Sequence, residues 1–134
     1  MKINKLRLRG FIGVKRGIGL DEIEVDFGIT GLSAFEGPNG SSKSTILECL
    51  TPYNVLASRD GSLFRHCYMR NSEKEFSFSY AGHEYRTLIK IDSQAERQEG
   101  FIWRDGVSEI NGKISEYAKY VKNLFGSPEL FYNS

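Results

Sequence analysis

The sequence has few cysteines and little net charge. Cys49 and Cys67 are the two cysteines among 134 residues. They match no zinc-binding spacing and are too few for a disulfide-built scaffold, so we expect buried free thiols in a reducing compartment. The net charge is +1, which excludes an overall basic field of the kind that attracts nucleic acid. Contact with DNA would therefore have to come from a local basic patch.

Long hydrophobic runs are also missing. No apolar run is long enough to cross a membrane, and the N-terminal MKINKLRLRG contains no apolar signal-peptide core. Apolar residues make up 40% and charged residues 26% of the chain, an ordinary globular balance. The length suits one modest domain. We expect a soluble, intracellular protein without a membrane partner.

Alternating apolar and polar residues predict strands at 6–9 and 22–27, separated by glycine-rich turns. A short apolar run at 32–36 predicts a buried strand that leads into a glycine-rich loop. Ile46, Leu47 and Leu50 follow with helical spacing. We expect that helix to end or kink near 50–51, because Pro52 removes one helical hydrogen bond and strains another.

The second half of the chain predicts a β-hairpin and a helix. Alternation at 76–80 and at 85–91, with a turn at 81–83, indicates the hairpin. A polar turn at 92–100 and a short strand at 101–103 follow. Apolar residues at helical spacing predict a helix over 114–125, with Asn111 as its N-cap and Gly126 after its end.

The sequence GPNGSSKST nearly matches the phosphate-binding pattern G-x-x-x-x-G-K-[ST]. A predicted strand precedes it and a predicted helix follows it, which is the context that aims backbone N–H groups and a helix N-terminus at phosphate. Lys43 would reach the β- and γ-phosphates, and the hydroxyl of Ser44 would bind Mg²⁺. Ser42 stands where glycine is usual. The predicted nucleotide-binding residues are Gly37, Pro38, Asn39, Gly40, Ser41, Ser42, Lys43, Ser44 and Thr45.

The run LSAFEGPNGSSKSTILECL resembles the N-terminal half of SMC-like ATPases, above all the SbcC-type DNA-repair ATPases. The opening 1–27, the stretch MRNSE before the hairpin, Tyr85-Arg86 and the terminal VKNLFGSPELFYNS are similar to that family too. The resemblance implies an α/β fold: a P-loop NTPase of the ABC-ATPase type with a mixed sheet and an antiparallel β segment. It also implies ATP and Mg²⁺ as ligands.

In that family the ATPase head is split between two lobes. The resemblance implies that residues 1–134 are the N-terminal lobe, a fragment that ends just before the Q-loop glutamine and the coiled coil. The implied partners are the C-terminal lobe, a second head in a homodimer, an SbcD-type nuclease and double-stranded DNA. The implied location is cytoplasmic and nucleoid-associated if the protein is bacterial or viral, and nuclear if it is eukaryotic. We expect no catalytic residue in this fragment and no meaningful ATP hydrolysis by it alone.

Four basic residues outside the loop are further candidates. Lys15 and Arg16 lie between the first two predicted strands, and the resemblance implies that this region packs near the nucleotide, which makes them candidates for contact with it. Arg59 and Arg65 follow the predicted loop helix, where the resemblance implies a DNA-binding surface, which makes them candidates for contact with DNA phosphates. Three alternatives stay open: a RecF-like repair ATPase, a transporter-type ATP-binding subunit, and a degenerate lobe that binds DNA or dimerises without hydrolysis.

Overall fold

The computed structural model describes residues 1–30, 40–56 and 62–128. Its strands are β1 (Lys2–Arg9), β2 (Glu22–Asp26), β3 (Ser72–Tyr80), β4 (His83–Asp92), β5 (Arg97–Arg104) and β6 (Val107–Lys113). Its helices are α1 (Ile12–Ile18), α2 (Phe27–Thr30), α3 (Gly40–Glu48), a 3-10 helix (Leu63–His66) and α4 (Ile114–Phe125). The strands form one sheet in the order β2-β1-β3-β4-β5-β6, and every neighbouring pair is antiparallel.

Tight turns join the paired strands of two hairpins. Ala81 and Gly82 join β3 to β4 with φ angles of 51° and 82°, and Asp105 and Gly106 join β5 to β6 with 50° and 83°. Two consecutive positive φ angles are typical of the type I′ turn, whose twist matches that of an antiparallel strand pair. The local sequence therefore fixes the register of these hairpins.

The sheet has one buried face and one open face. Leu6 and Leu8 of β1 point to the same side as Phe76 and Phe78 of β3, and each of the four is at most 1% exposed. On the opposite side the same strands carry charged residues. The period of two along a strand produces this separation, and it confirms the half-buried strands that the alternation predicted.

Helices cover the buried face. Tyr117 and Val121 of α4 and Ile46 of α3 belong to the same hydrophobic core as the strands. A Cβ atom on Gly100 of β5 would lie 2.6 Å from the Cβ of Tyr117. Glycine at this position is what lets α4 approach the sheet closely.

The predicted fold class was wrong. A P-loop α/β head with a mixed sheet requires parallel strand pairs, whereas the described part of the chain contains a six-stranded, wholly antiparallel sheet and is mostly sheet. Antiparallel neighbours dominate because short turns connect β3, β4, β5 and β6 in sequence. The strand predicted at 32–36 lies outside the described residues.

Two local predictions were also wrong. The glycine-rich stretch between β1 and β2 is not a set of turns, since residues 12–18 form α1. Asn111 does not cap α4: it lies in β6, and Lys113 is the N-cap residue. By contrast, the hairpin, the helix after the glycine-rich loop, the extent of α4 and the position of Gly126 directly after its end are confirmed.

Candidate functional site

The N-terminus of α3 carries the described part of the predicted phosphate loop. The helix begins at Gly40, so Lys43, Ser44 and Thr45 lie in its first two turns. Lys43 is half-buried, Ser44 is exposed and Thr45 is buried. Residues 37–39 lie outside the described residues. The backbone N–H groups of a first helical turn have no partner within the helix and carry a partial positive charge, which favours a bound anion.

The backbone conformation at position 42 determines whether serine is tolerated where the phosphate-loop pattern usually has glycine. Ser42 lies inside α3, so its backbone is helical. Glycine is required where φ is positive or where another group approaches very closely. A helical backbone at position 42 therefore accepts a serine without torsional strain.

Helix α1 packs directly on α3 at this point. A Cβ atom on Gly13 would overlap the hydroxyl of Thr45 and lie 2.9 Å from its Cβ. Gly13 thus allows an approach that any side chain would block. The contact brings the α1 residues that follow Gly13 next to the phosphate-loop helix.

The two basic residues predicted on α1 behave differently. The ammonium group of Lys15 lies 3.0 Å from Asp21, which also accepts a hydrogen bond from the hydroxyl of Tyr68. These two donors, Tyr68 first, hold the pKa of Asp21 below its ordinary value. Arg16, one residue further along α1, is exposed and pairs with no carboxylate among the described residues. Lys15 is therefore engaged locally, and Arg16 is available to a ligand.

A cavity of about 270 Å³ lies between α1, α3 and the 3-10 helix. We call it the α1–α3 cavity. Its lining residues are Ile12, Gly13, Arg16, Thr45, Glu48, Leu56, Arg65 and His66. The fold thus brings together Thr45 of the predicted loop, Arg16 of the predicted nucleotide contact and Arg65 of the predicted DNA contact. Arg59, the other predicted DNA contact, lies outside the described residues.

The cavity is suited to an anionic ligand. The lining contains two arginines, Arg16 and Arg65, and one glutamate, Glu48, so its formal net charge is positive. Guanidinium groups bind phosphate and carboxylate through paired N–H donors. The sequence analysis missed Glu48 and His66. The i, i+3 spacing from Thr45 to Glu48 was the signal that both face the same side of α3.

A buried polar cluster supports one wall of this cavity. Lys74 of β3 is 1% exposed and donates a hydrogen bond to the carbonyl of Tyr53 at 2.9 Å. The hydroxyl of Tyr117 donates to the carbonyl of Pro52. Both bonds hold the segment 51–56, which ends at Leu56 in the cavity wall. Burial lowers the pKa of Lys74 to about 8, because a low-dielectric environment disfavours the charged form.

The cysteines lie in the core, as expected. Cys49 and Cys67 are both buried free thiols. Burial raises the pKa of Cys67 to about 12, which keeps this thiol protonated and unreactive at neutral pH.

A second concentration of charge lies on the open face of the sheet. We call it the outer-face network; its members are Arg7, Glu22, Glu73, Glu75, Arg86 and Trp103. Arg7 donates to Glu22 at 2.7 Å, to Glu73 at 2.8 Å and to Glu75 at 3.0 Å. Arg86 donates to Glu75 at 3.0 Å and stacks on Trp103, its Cζ 3.8 Å from the ring centroid. Each arginine is neutralised within the sheet.

No protein-family model matches the chain, and no curated protein matches it. Across residues 1–30, 40–56 and 62–128, no helix has the length and apolar character needed to cross a bilayer. The same residues contain no group of three or more His, Cys, Asp or Glu side chains arranged to hold a metal ion.

Proposed function

We propose that this chain binds the phosphates of ATP at the N-terminus of α3, as the nucleotide-binding lobe of an SbcC-like ATPase in DNA repair or recombination. The observation that carries the proposal is the position of Lys43, Ser44 and Thr45 in the first turns of α3, beside a cavity with a positively charged lining. A helix N-terminus, a lysine and a hydroxyl are the groups that phosphate-binding loops use.

Each side chain has a role that follows from its chemistry. Lys43 neutralises charge on the β- and γ-phosphates, and the exposed hydroxyl of Ser44 binds Mg²⁺ together with phosphate oxygens. This arrangement needs no cluster of acidic residues, because Mg²⁺ at such a site keeps several waters and binds phosphate oxygens of the nucleotide, so the protein supplies few of its ligands. The proposal rests on α3 and its neighbours and is independent of a mixed sheet.

The partners belong to the proposal as well. The C-terminal lobe would supply the groups that orient the attacking water, and ATP would hold two heads together. Head dimerisation would then control an SbcD-type nuclease on double-stranded DNA. Hydrolysis is expected of the complete head and not of this chain alone.

The test is calorimetric titration of the protein with Mg²⁺ and ATP, before and after Lys43→Ala. Loss of a charge-assisted hydrogen bond of about 1.5–3 kcal/mol corresponds to about a tenfold to hundredfold loss of affinity. Lys15→Ala is the matched control, since it removes a lysine that pairs with Asp21 and should leave affinity within about twofold. Equal affinities for the parent and Lys43→Ala would refute the phosphate site.

Ser42→Gly separates a working site from a degenerate one. The helical backbone at position 42 predicts that glycine changes ATP affinity little. If the parent fails to bind ATP and Ser42→Gly binds it, Ser42 has inactivated the phosphate site. The alternative of a degenerate lobe that dimerises or binds DNA without hydrolysis then replaces the proposal.

A further inference from the structure

The segment 51–56 follows α3 directly. Helical hydrogen bonds continue past the end of α3, since the backbone N–H of Leu50 donates to the carbonyl of Leu47 at 3.3 Å. The ring of Pro52 then fixes its own φ angle, and residues 51–53 are all buried. A restraint on α3 is therefore passed to this segment, because closely packed protein interiors have low compressibility and transmit strain.

Two hydrogen bonds from other elements hold the same segment. The ammonium group of Lys74 in β3 donates to the carbonyl of Tyr53 at 2.9 Å, and the hydroxyl of Tyr117 in α4 donates to the carbonyl of Pro52. Lys74 and Tyr117 are at most 1% exposed, so solvent does not compete for either bond, and a low-dielectric interior strengthens both. The segment is thus fixed to the sheet and to α4 as well as to α3.

The side chain of Tyr53 reaches the C-terminal end of α4. Its hydroxyl donates to the carbonyl of Gly126 at 2.9 Å, and the carbonyl oxygen of Ser127 lies 3.4 Å from the same hydroxyl. Carbonyl groups at the end of a helix have no partner within the helix, so this hydroxyl stabilises the last turn from outside. The N–H of Gly126 closes that turn by donating to the carbonyl of Lys122 at 2.7 Å. Exchange of the Gly126 amide proton therefore reports how often the end of α4 opens.

We propose that the segment 51–56 couples nucleotide binding at α3 to the C-terminal end of α4, with Tyr53 as the positioning residue that makes the connection. A bound nucleotide restrains α3, and the restrained segment keeps the bond from Tyr53 to Gly126 formed for a larger fraction of the time. Binding that rigidifies one part of a protein affects a second part in this way without a change of shape. A partner that contacts the end of α4 would then bind the nucleotide-bound and the free protein with different affinities. This inference rests on the proposed function, because the nucleotide must bind at Lys43.

The test is hydrogen exchange of the Gly126 amide, measured by NMR with and without saturating Mg²⁺ and ATP. ATP should slow this exchange about fivefold in the parent, at the lower end of typical couplings between sites. Tyr53→Phe removes only the hydroxyl, so ATP should no longer change the exchange rate, although calorimetry still detects ATP binding. A hydroxyl that only stabilised the helix end would give a different result: exchange in Tyr53→Phe would be faster by the same factor with and without ATP. That result would overturn the coupling.

Tyr80→Phe is the matched control. The ring of Tyr80 packs at the same end of α4, with its centroid 4.7 Å from that of Phe125, and the variant removes a tyrosine hydroxyl while keeping the ring. ATP should still slow exchange at Gly126 in this variant, and loss of the slowing would overturn the assignment to Tyr53. A parent that binds ATP without any change at Gly126 would overturn the coupling and keep the phosphate site. Failure of the parent to bind ATP would overturn both.

Discussion

The outer-face network and the α1–α3 cavity use the same residue type for opposite purposes. On the open sheet face, Arg7 donates hydrogen bonds of at most 3.0 Å to three carboxylates, so its charge is neutralised within the protein. In the cavity, the exposed Arg16 pairs with no carboxylate among residues 1–30, 40–56 and 62–128. Count and placement of carboxylates, rather than the number of arginines, separate a structural charge network from a binding site. The cavity is therefore the better candidate for an anionic ligand.

Substituting Gly13 tests how far the cavity depends on close packing. In an isolated helix Gly→Ala would stabilise by about 1 kcal/mol. Here the new methyl group would overlap Thr45, 2.9 Å from its Cβ, and overpacking costs typically 1–3 kcal/mol. We expect steric overlap to prevail and Gly13→Ala to lower the free energy of unfolding by about 2 kcal/mol. Urea denaturation measures this change.

The same experiment in a Thr45→Ala background supplies the control. Removing the hydroxyl takes away the atom that the new methyl group meets, so Gly13→Ala should cost less there. Residues in contact show such coupling, and separated residues do not. An identical cost in both backgrounds would mean that α1 and α3 are not packed as described.

The pH dependence of stability tests whether Lys74 is buried in the polar cluster behind the cavity wall. Its pKa falls from 10.5 in the unfolded chain to about 8 in the folded protein. Between these values the unfolded state binds more protons, so the lysine makes stability rise with pH. The rise is at most about 3 kcal/mol, at 1.36 kcal/mol for each pH unit. Above pH 9 Cys67 has the opposite effect and lowers stability. Its thiol pKa is 9.0 in the unfolded chain and about 12 in the folded protein, so the unfolded state loses the thiol proton first.

The measurement is the free energy of unfolding at pH 7, 8, 9 and 10 for the parent and Lys74→Met. The difference between the two proteins cancels the contribution of Cys67, and stability of the parent relative to Lys74→Met should increase over this range. Lys90→Met, which removes an exposed lysine of β4, should show no such increase. A flat difference for Lys74→Met would place Lys74 in contact with solvent.

Sequence pattern predicted the sheet strands better than it predicted the site. Strands β3 and β4 alternate strongly, and their apolar residues are core residues in the structure. Helix α1 was not predicted from the sequence, because Gly13 and Gly17 weaken its intrinsic helix propensity and because its packing on α3 is a tertiary effect. Strand β6 was not predicted, because it is an edge strand and none of its residues is buried. Its alternation is therefore too weak to distinguish it from a loop.

The candidate site could not be predicted from the sequence alone, because it depends on how the helices pack together. Lys43, Ser44 and Thr45 were identified from the phosphate-loop pattern, but Arg16 and Arg65 lie 49 positions apart in sequence. Only the packing of α1 and of the 3-10 helix around α3 brings them to one cavity. Periodicity within an element cannot reveal a contact between elements, so the sequence alone could not show that Arg16 and Arg65 line the same cavity.

Removing Arg7 from the outer-face network should affect stability and leave binding unchanged. Burial alone would raise the pKa of Glu75, but hydrogen bonds from Arg7 and Arg86 outweigh it and lower that pKa. A lowered folded pKa stabilises the protein above the unfolded value of 4.5, and this stabilisation is lost as the pH falls. Arg7→Gln should cost about 1–2 kcal/mol at pH 7 and less at pH 3. Unchanged ATP affinity in Arg7→Gln separates the two regions, whereas a loss as large as that of Lys43→Ala would join them.

Arg86→Gln is the mildest break in the network. Arg86 is exposed, and its stacking on Trp103 is worth about 0.5–1 kcal/mol at such a site. Trp103 is the single tryptophan of the chain, so its fluorescence reports this contact without interference. We expect a changed emission maximum, with a loss of stability below about 1 kcal/mol. Lys90→Gln is the control, because Lys90 lies over Phe101, 5.2 Å from its centroid, and should leave the emission of Trp103 unaltered. The same emission from the parent and Arg86→Gln would show that the guanidinium does not cover the indole, and the outer-face network would then end at Arg86.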